Sequence, residues 1–189
     1  MANGSEKDIN RLILDELQDG VSTIWLQGLQ TADLAGHLPA MMQDVIFDAA
    51  GIHLDAGNDA MAQIAAFADF AKKADTNLAA SRFHANIDPF APAADADLLA
   101  SAFAYFVSAD VGDVPPDMFR AQGRQWHNQG MTAVQELAYI LASLTEILRQ
   151  GMARDIDPAR LAKYLSASIA LPADLFDGIA KSRALRHGW

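Results

Sequence analysis

The sequence predicts an α/β fold built on a parallel sheet, and three observations carry that reading. Short β-branched or aromatic runs alternate with longer amphipathic stretches. The alternation recurs about five times, which implies right-handed βαβ crossovers. Gly, Asp-Gly and Asp-Pro punctuate the joins. An all-helical chain is the alternative, because the strand runs are short.

The elements follow in order. Glu6–Leu17 reads as a helix with Ile9, Leu12, Ile13 and Leu17 on one face, stopped by Asp19-Gly20. Val21–Leu26 is a strand. Thr31 or Asp33 caps a second helix running to about Ala49, with Leu34, Leu38, Met41, Met42, Val45 and Ile46 as its stripe. Ile52–Asp55 is a second strand and Asp59–Lys73 a third helix. Phe83–Ile87 is a weak strand stopped by Asp88-Pro89. Asp95 or Asp97 opens a helix to about Ser108. Met118–Trp126 is a strand of mixed polarity, and His127–Gly130 a turn. Thr132–Gln150 is the clearest helix, terminated by Gly151. Asp157-Pro158 opens a short helix, Leu165–Leu171 is the last strand, and Pro172–His187 the last helix.

Composition narrows the function. The 189 residues fit one domain, 1–189, and 51% are apolar, enough for a sizeable core. With 24 acidic against 14 basic residues the net charge is −10. Nucleic-acid binding and anionic membrane surfaces both need clustered Lys and Arg, so neither is expected. No cysteine is present, which excludes disulfides, thiolate catalysis and Cys-ligated metals. No apolar run approaches the roughly 20 residues that span a bilayer. Met1–Asn10 lacks a signal-peptide core, so a cytoplasmic location is expected.

Few motifs carry chemistry. The five histidines show no metal-ligand spacing, and no metal site is expected. Phosphate-binding glycine loops and the Gly-x-Ser-x-Gly elbow are absent. His53 and His84 fall in strands, where residues near C-terminal ends often face a ligand. The alternative is a hydrogen-bonded histidine on a sheet face. Asp55 and Asp88 follow strands and read either as site carboxylates or as turn residues. Trp126-His127 is the most suggestive pair: an aromatic and an imidazole at a strand end, ahead of a turn and a helix. A packed Trp beside a surface His is the alternative.

Four segments, collinear over nearly the whole chain, carry a resemblance. They are Gly20–Leu26, Ile52–Gly57, Trp126–Tyr139 with its Glu136-Leu137-Ala138-Tyr139, and Phe176–Arg186 with Ile179-Ala180-Lys181. Together they resemble the substrate barrel of the methylmalonyl-CoA mutase family, most of all its small-subunit type. The resemblance implies a partial TIM-type (β/α) barrel of about five βα units with surrounding helices. It implies an acyl-CoA ligand in the barrel and adenosylcobalamin held by a separate domain, with none expected on this chain alone. The family's Tyr-His pair, which touches the substrate thioester, maps onto Trp126 and His127. His53, Asn86 and Gln129 are the substrate-binding positions it suggests.

Departures from the catalytic pattern matter. Trp126 lacks the tyrosine hydroxyl. Asp95–Ala104 holds no Arg to bind a substrate carboxylate. Asn86-Ile87-Asp88-Pro89-Phe90 is of the small-subunit type. The expectation is a non-catalytic copy that supports assembly with a catalytic large subunit. An active subunit completed by other chains, or an unrelated interaction module, are the alternatives. A full barrel needs roughly 250 residues. Five units would leave two unpaired edges and an apolar inner face, and therefore self-association or pairing with missing segments.

Overall fold

The computed structural model describes residues 5–28, 34–47, 49–55, 57–76, 78–80, 82–91 and 94–189. It is a mixed α/β protein with parallel sheets. The strands are β1 (Thr23–Gln27), β2 (Gly51–Asp55), β3 (Phe83–His84), β4 (Phe119–Gln122) and β5 (Leu165–Ser168). The helices are α1 (Glu6–Gln18), α2 (Leu34–Met41), α3 (Ala60–Lys73), α4 (Leu98–Ser108), α5 (Gly123–Asn128), α6 (Ala133–Met152), α7 (Pro158–Leu161) and α8 (Leu175–Gly188). No helix among the described residues is long and apolar enough to cross a membrane.

Two sheets form, ordered β1-β2-β3 and β4-β5, with every pairing parallel. Trp25 sits beside His53 and His53 beside His84; Arg120 sits beside Ser166 and Gln122 beside Ser168. A parallel bridge from Ile87 to Phe119 links the two sheets. There the Ile87 amide donates to the Met118 carbonyl at 2.9 Å, and the Arg120 amide to the Ile87 carbonyl at 2.9 Å.

The strands alternate with period two, which parallel strands buried on both faces do not. Leu26, Ile52, Leu54, Phe83, Ala85, Ile87, Phe119 and Ala121 form the buried apolar face. Helices cover it, with Phe67 of α3 against Phe83 at 4.6 Å and Phe103 of α4 against Phe119 at 5.4 Å between ring centroids. The opposite face presents Trp25, His53, His84, Asn86, Arg120, Gln122, Ser166 and Ser168. The expected apolar inner face is thus corrected: that face is polar.

Several boundaries move, each for a local reason. The second helix stops at Met41 rather than Ala49, because Asp44 takes a left-handed φ of 63° and Ile46 turns out to solvent. Its expected caps, Thr31 and Asp33, lie outside the described residues. The third strand is broken by Asn86 at φ 53°, so only Phe83–His84 and the Ile87 bridge pair. The fourth strand ends at Gln122, four residues before Trp126. At Gly123 a Cβ would lie 2.6 Å from Ile140 Cδ1 and 2.9 Å from the Ser168 carbonyl, so only glycine lets the chain turn there. Gly151 does not terminate α6, which runs to Met152; it lets Leu161 approach to 2.5 Å from where its Cβ would be. The last strand stops at Ser168 and the last helix starts after its cap, Asp174, which accepts from the Phe176 and Asp177 amides at 2.9 and 3.0 Å.

Candidate functional site

The polar face runs from the middle of the strands, at Trp25, His53 and Arg120, to their carboxyl ends at Asp55 and Gln122, the side where open and closed parallel folds keep their ligand contacts. The His53 and His84 rings stack at 4.1 Å and 12°, and Trp25 follows at 5.8 Å from His53. Register explains the ladder, since the three residues are neighbours across β1, β2 and β3. Arg124 lies over the Trp25 ring at 5.3 Å, a cation–π geometry.

Arg120 ties the two sheets together. Its Nε donates to Ser166 Oγ at 3.0 Å, one terminal nitrogen reaches Asp117 Oδ2 at 3.2 Å, and the other lies 3.4 Å from His53 Nδ1. Asp117 also stands 3.0 Å from His84 Nδ1. That histidine contact, with Arg120, holds the Asp117 carboxyl below the usual carboxylate range. His53 goes the other way for an imidazole: burial, with the charges of His84 and Arg120, lowers its pKa to about 4. His53 is therefore neutral at pH 7. Burial lowers Arg120 as well, against the pull of Asp117.

Asn86 sits at the centre and is only 3% exposed. Its Nδ2 donates to the Leu54 carbonyl at 2.8 Å and the His84 carbonyl at 3.2 Å, and lies 3.3 Å from His53 Nδ1. Asp88, also buried, accepts from the Gln122 amide at 2.7 Å, the Tyr139 hydroxyl at 2.8 Å and the Phe90 amide at 3.0 Å. Burial raises the Asp88 carboxyl above its ordinary range and pushes the Tyr139 phenol up. A pocket of about 180 Å³ opens at these strand ends, lined by Asp55, Gly57, Asn58, Asn86, Asp88, Gln122 and Gln125 among others.

Of the residues the sequence singled out, the structure brings His53, His84 and Asn86 together, puts Asp55 and Asp88 in the pocket that Asn86 lines, and keeps Trp126, His127 and Gln129 apart from them. Trp126 and His127 do not sit at a strand end but in α5. The Trp126 ring packs on Tyr139 of α6 at 5.3 Å. His127 Nδ1 lies 3.1 Å from Glu136 Oε2, within a buried cluster that holds α8. Gln129 is exposed and ends α5, its amide donating to the Trp126 carbonyl at 3.0 Å. In that cluster Lys181 bonds the Glu136 carboxylate and donates to the Ala170 carbonyl at 2.7 Å, while Glu136 accepts from the Ala170 amide at 2.8 Å.

Sequence reasoning missed Arg120, Gln122, Arg124 and Gln125 on the strand-end side. The polar–apolar alternation of Phe119-Arg120-Ala121-Gln122 was the signal for the first two. Among the described residues no group of three or more His, Asp or Glu is placed to hold a metal ion. The strand-end pocket does not fit a corrin: drug-sized ligands already occupy ~300–1,000 Å³, against about 180 Å³ here.

Comparison with known proteins gives a consistent result. The sequence model of the methylmalonyl-CoA mutase family matches residues 33–189. A probable methylmalonyl-CoA mutase small subunit of Mycobacterium bovis is 28% identical over 204 aligned positions, covering 100% of this chain and 31% of that protein. A protein of the same description from Mycobacterium tuberculosis H37Rv gives the same figures. A methylmalonyl-CoA mutase small subunit of Streptomyces virginiae is 27% identical over 185 positions, covering 95% of this chain and 30% of that protein. The chain thus spans about a third of the length of the curated relatives it matches. On the family match, which takes in most of its length, the chain belongs to the methylmalonyl-CoA mutase family.

Proposed function

We propose that this chain is the small-subunit-like barrel portion of a cytoplasmic methylmalonyl-CoA mutase, non-catalytic in itself, and that it supports assembly with a catalytic large subunit. Its five parallel strands, paired in chain order across the Ile87 bridge, support a reading as five βα units of a partial TIM-type barrel. The observation that carries the non-catalytic role is the strand-end pocket. Its lining is rich in acceptors and carboxylates, and among the described residues it contains no Lys or Arg to hold a substrate carboxylate. His127 and Trp126, in the positions first matched to the substrate-touching pair, spend their contacts on α6. Adenosylcobalamin, which the parent family uses, is held by a separate domain in this reading.

The test is a titration with methylmalonyl-CoA and adenosylcobalamin, with and without a catalytic large subunit. The expected result is a stable complex with the large subunit, and neither turnover nor cobalamin binding by the chain alone. Isomerisation by the chain alone would overturn the reading.

A second reading is a substrate-binding part of an active mutase completed by other chains. Arg124 favours it, because its guanidinium lies on the polar face over Trp25. Arg124→Ala would then weaken acyl-CoA binding about tenfold, the loss of one charge-assisted contact. In the first reading the substitution has no such effect. Self-association through the strand edges competes with the large subunit for the same surfaces.

A further inference from the structure

We propose that copies of this chain dock head to tail, the exposed face of α8 on one copy seating in the groove between α1 and the turn after α2 on the next. Both surfaces are apolar, and they carry opposite charge. On α8, Leu175, Ile179, Arg183 and Arg186 fall on one helical face, and with Leu171 they line a groove of about 410 Å³. All five are exposed. The second groove, of about 310 Å³, is lined by Leu14, Leu17, Val21, Asp44 and Ile46 among others. Asp15 and Asp19 flank it at the end of α1, each one residue beyond a groove residue, Leu14 or Gln18. Among the described residues no ion pair engages Arg183, Arg186, Asp15, Asp19 or Asp44. The basic residues of α1, Lys7 and Arg11, lie in its first two turns, and Arg11 is 3.8 Å from Asp8.

Charge selects the pairing. The chain carries −10 overall, so copies repel one another unless a local attraction outweighs that. A two-fold pairing of α8 with itself would bring four arginines into one joint. The carboxylate lining that groove, Asp174, is already spent on the Phe176 and Asp177 amides. A groove bordered by Asp15, Asp19 and Asp44 takes the two arginines instead, while Leu175 and Ile179 leave water against Leu14, Leu17, Val21 and Ile46. The joint is heterologous: each copy offers two different surfaces, so a docked pair keeps one of each free. Helix α1 leads into β1 and α8 follows β5, so the two surfaces flank the outer strands of the series. This goes beyond the mutase reading and does not depend on it.

The experiment compares the 189-residue chain with two blocked variants by light scattering. Phe176→Ser with Ile179→Ser blocks α8, and Val21→Ser with Ile46→Ser blocks the groove. All four positions are exposed, so the circular dichroism of the variants should match the parent's. The parent is expected to grow past dimer with concentration, and each blocked variant alone to stay at the monomer mass of 20.3 kDa. Mixed in equal amounts, the two variants should form a pair and stop there, because one supplies the groove and the other α8. Charge gives an independent arm if the serine variants misfold. Arg183→Glu with Arg186→Glu should weaken association about tenfold, and mixing that variant with Asp15→Lys, Asp44→Lys should restore it. A parent that stays monomeric, whatever other protein it captures, would overturn the proposal. So would blocked variants that fail to pair on mixing, either blocked variant associating as the parent does, or charge-reversed variants that do not recover together.

Discussion

Single residues on the polar face are held by charge and close approach, and both give measurable consequences. The folded-state pKa of His53 lies below its unfolded value, at about 4 against 6.5. The unfolded chain therefore binds the extra proton between those values. Its contribution to stability is present above pH 6.5 and is lost as pH falls toward 4. A melting temperature that drops across this window, and drops less in His53→Gln, is the expected outcome. The slope should stay under the about 1.36 kcal/mol per pH unit of one fully linked proton, since solvent screens the half-buried ring. Asp117, whose carboxyl is held low, adds a second loss only below its ordinary range near pH 3.8. Gly123 makes a steric prediction. Gly123→Ala pushes a methyl into Ile140 and the Ser168 carbonyl and should cost about 1–3 kcal/mol by urea denaturation.

Among the elements, α8 buries one charged side chain and packs only Leu185 of its apolar side chains against the core. Lys181 is its only buried side chain, while Leu175, Phe176 and Ile179 face solvent and Phe176 is 80% exposed. Removing one partner of a buried ion pair leaves an uncompensated charge, at about 3–5 kcal/mol. Lys181→Ala should therefore release α8, read as rapid trypsin cleavage after Arg183, while the cleavage pattern of α3 and α4 stays unchanged. Joint replacement Glu136→Leu with Lys181→Met should recover much of the loss, because no charge is then stranded. Helix α6, by contrast, needs no such pin. Thr132 and Gln135 cap it reciprocally, and Ile140, Leu144 and Ile147 bury one face. That helix and its cap were legible in the sequence because both signals are local.

At the scale of the whole molecule, β1 and β5 each pair on one side among the described residues. After β5 in the chain come the exposed apolar residues Leu171, Leu175, Phe176 and Ile179. Open edges and exposed apolar surface together favour association. Light scattering should show mass rising with concentration, and Phe176→Ser with Ile179→Ser should shift the chain toward monomer. A monodisperse parent that binds no apolar dye would count against this.

By itself the sequence determined the α/β order, the parallel crossovers, the helix caps at Thr132 and Asp157, and the family. Each of these is written in local periodicity, capping chemistry or collinear segments. Tertiary structure decided the rest. Whether Trp126-His127 stood at a strand end depended on Gly123 meeting Ile140 and Ser168, residues far along the chain. That contact turned β4 early and sent the pair to α6. The polar face depended on register: strands offset by one residue would have mixed His53, His84 and Arg120 with the core. His53 and Asn86 could be named from their strands, but their meeting with Arg120 and Asp117 is a long-range outcome. Local sequence encodes a side chain's element and face; only packing between distant segments sets which side chains meet.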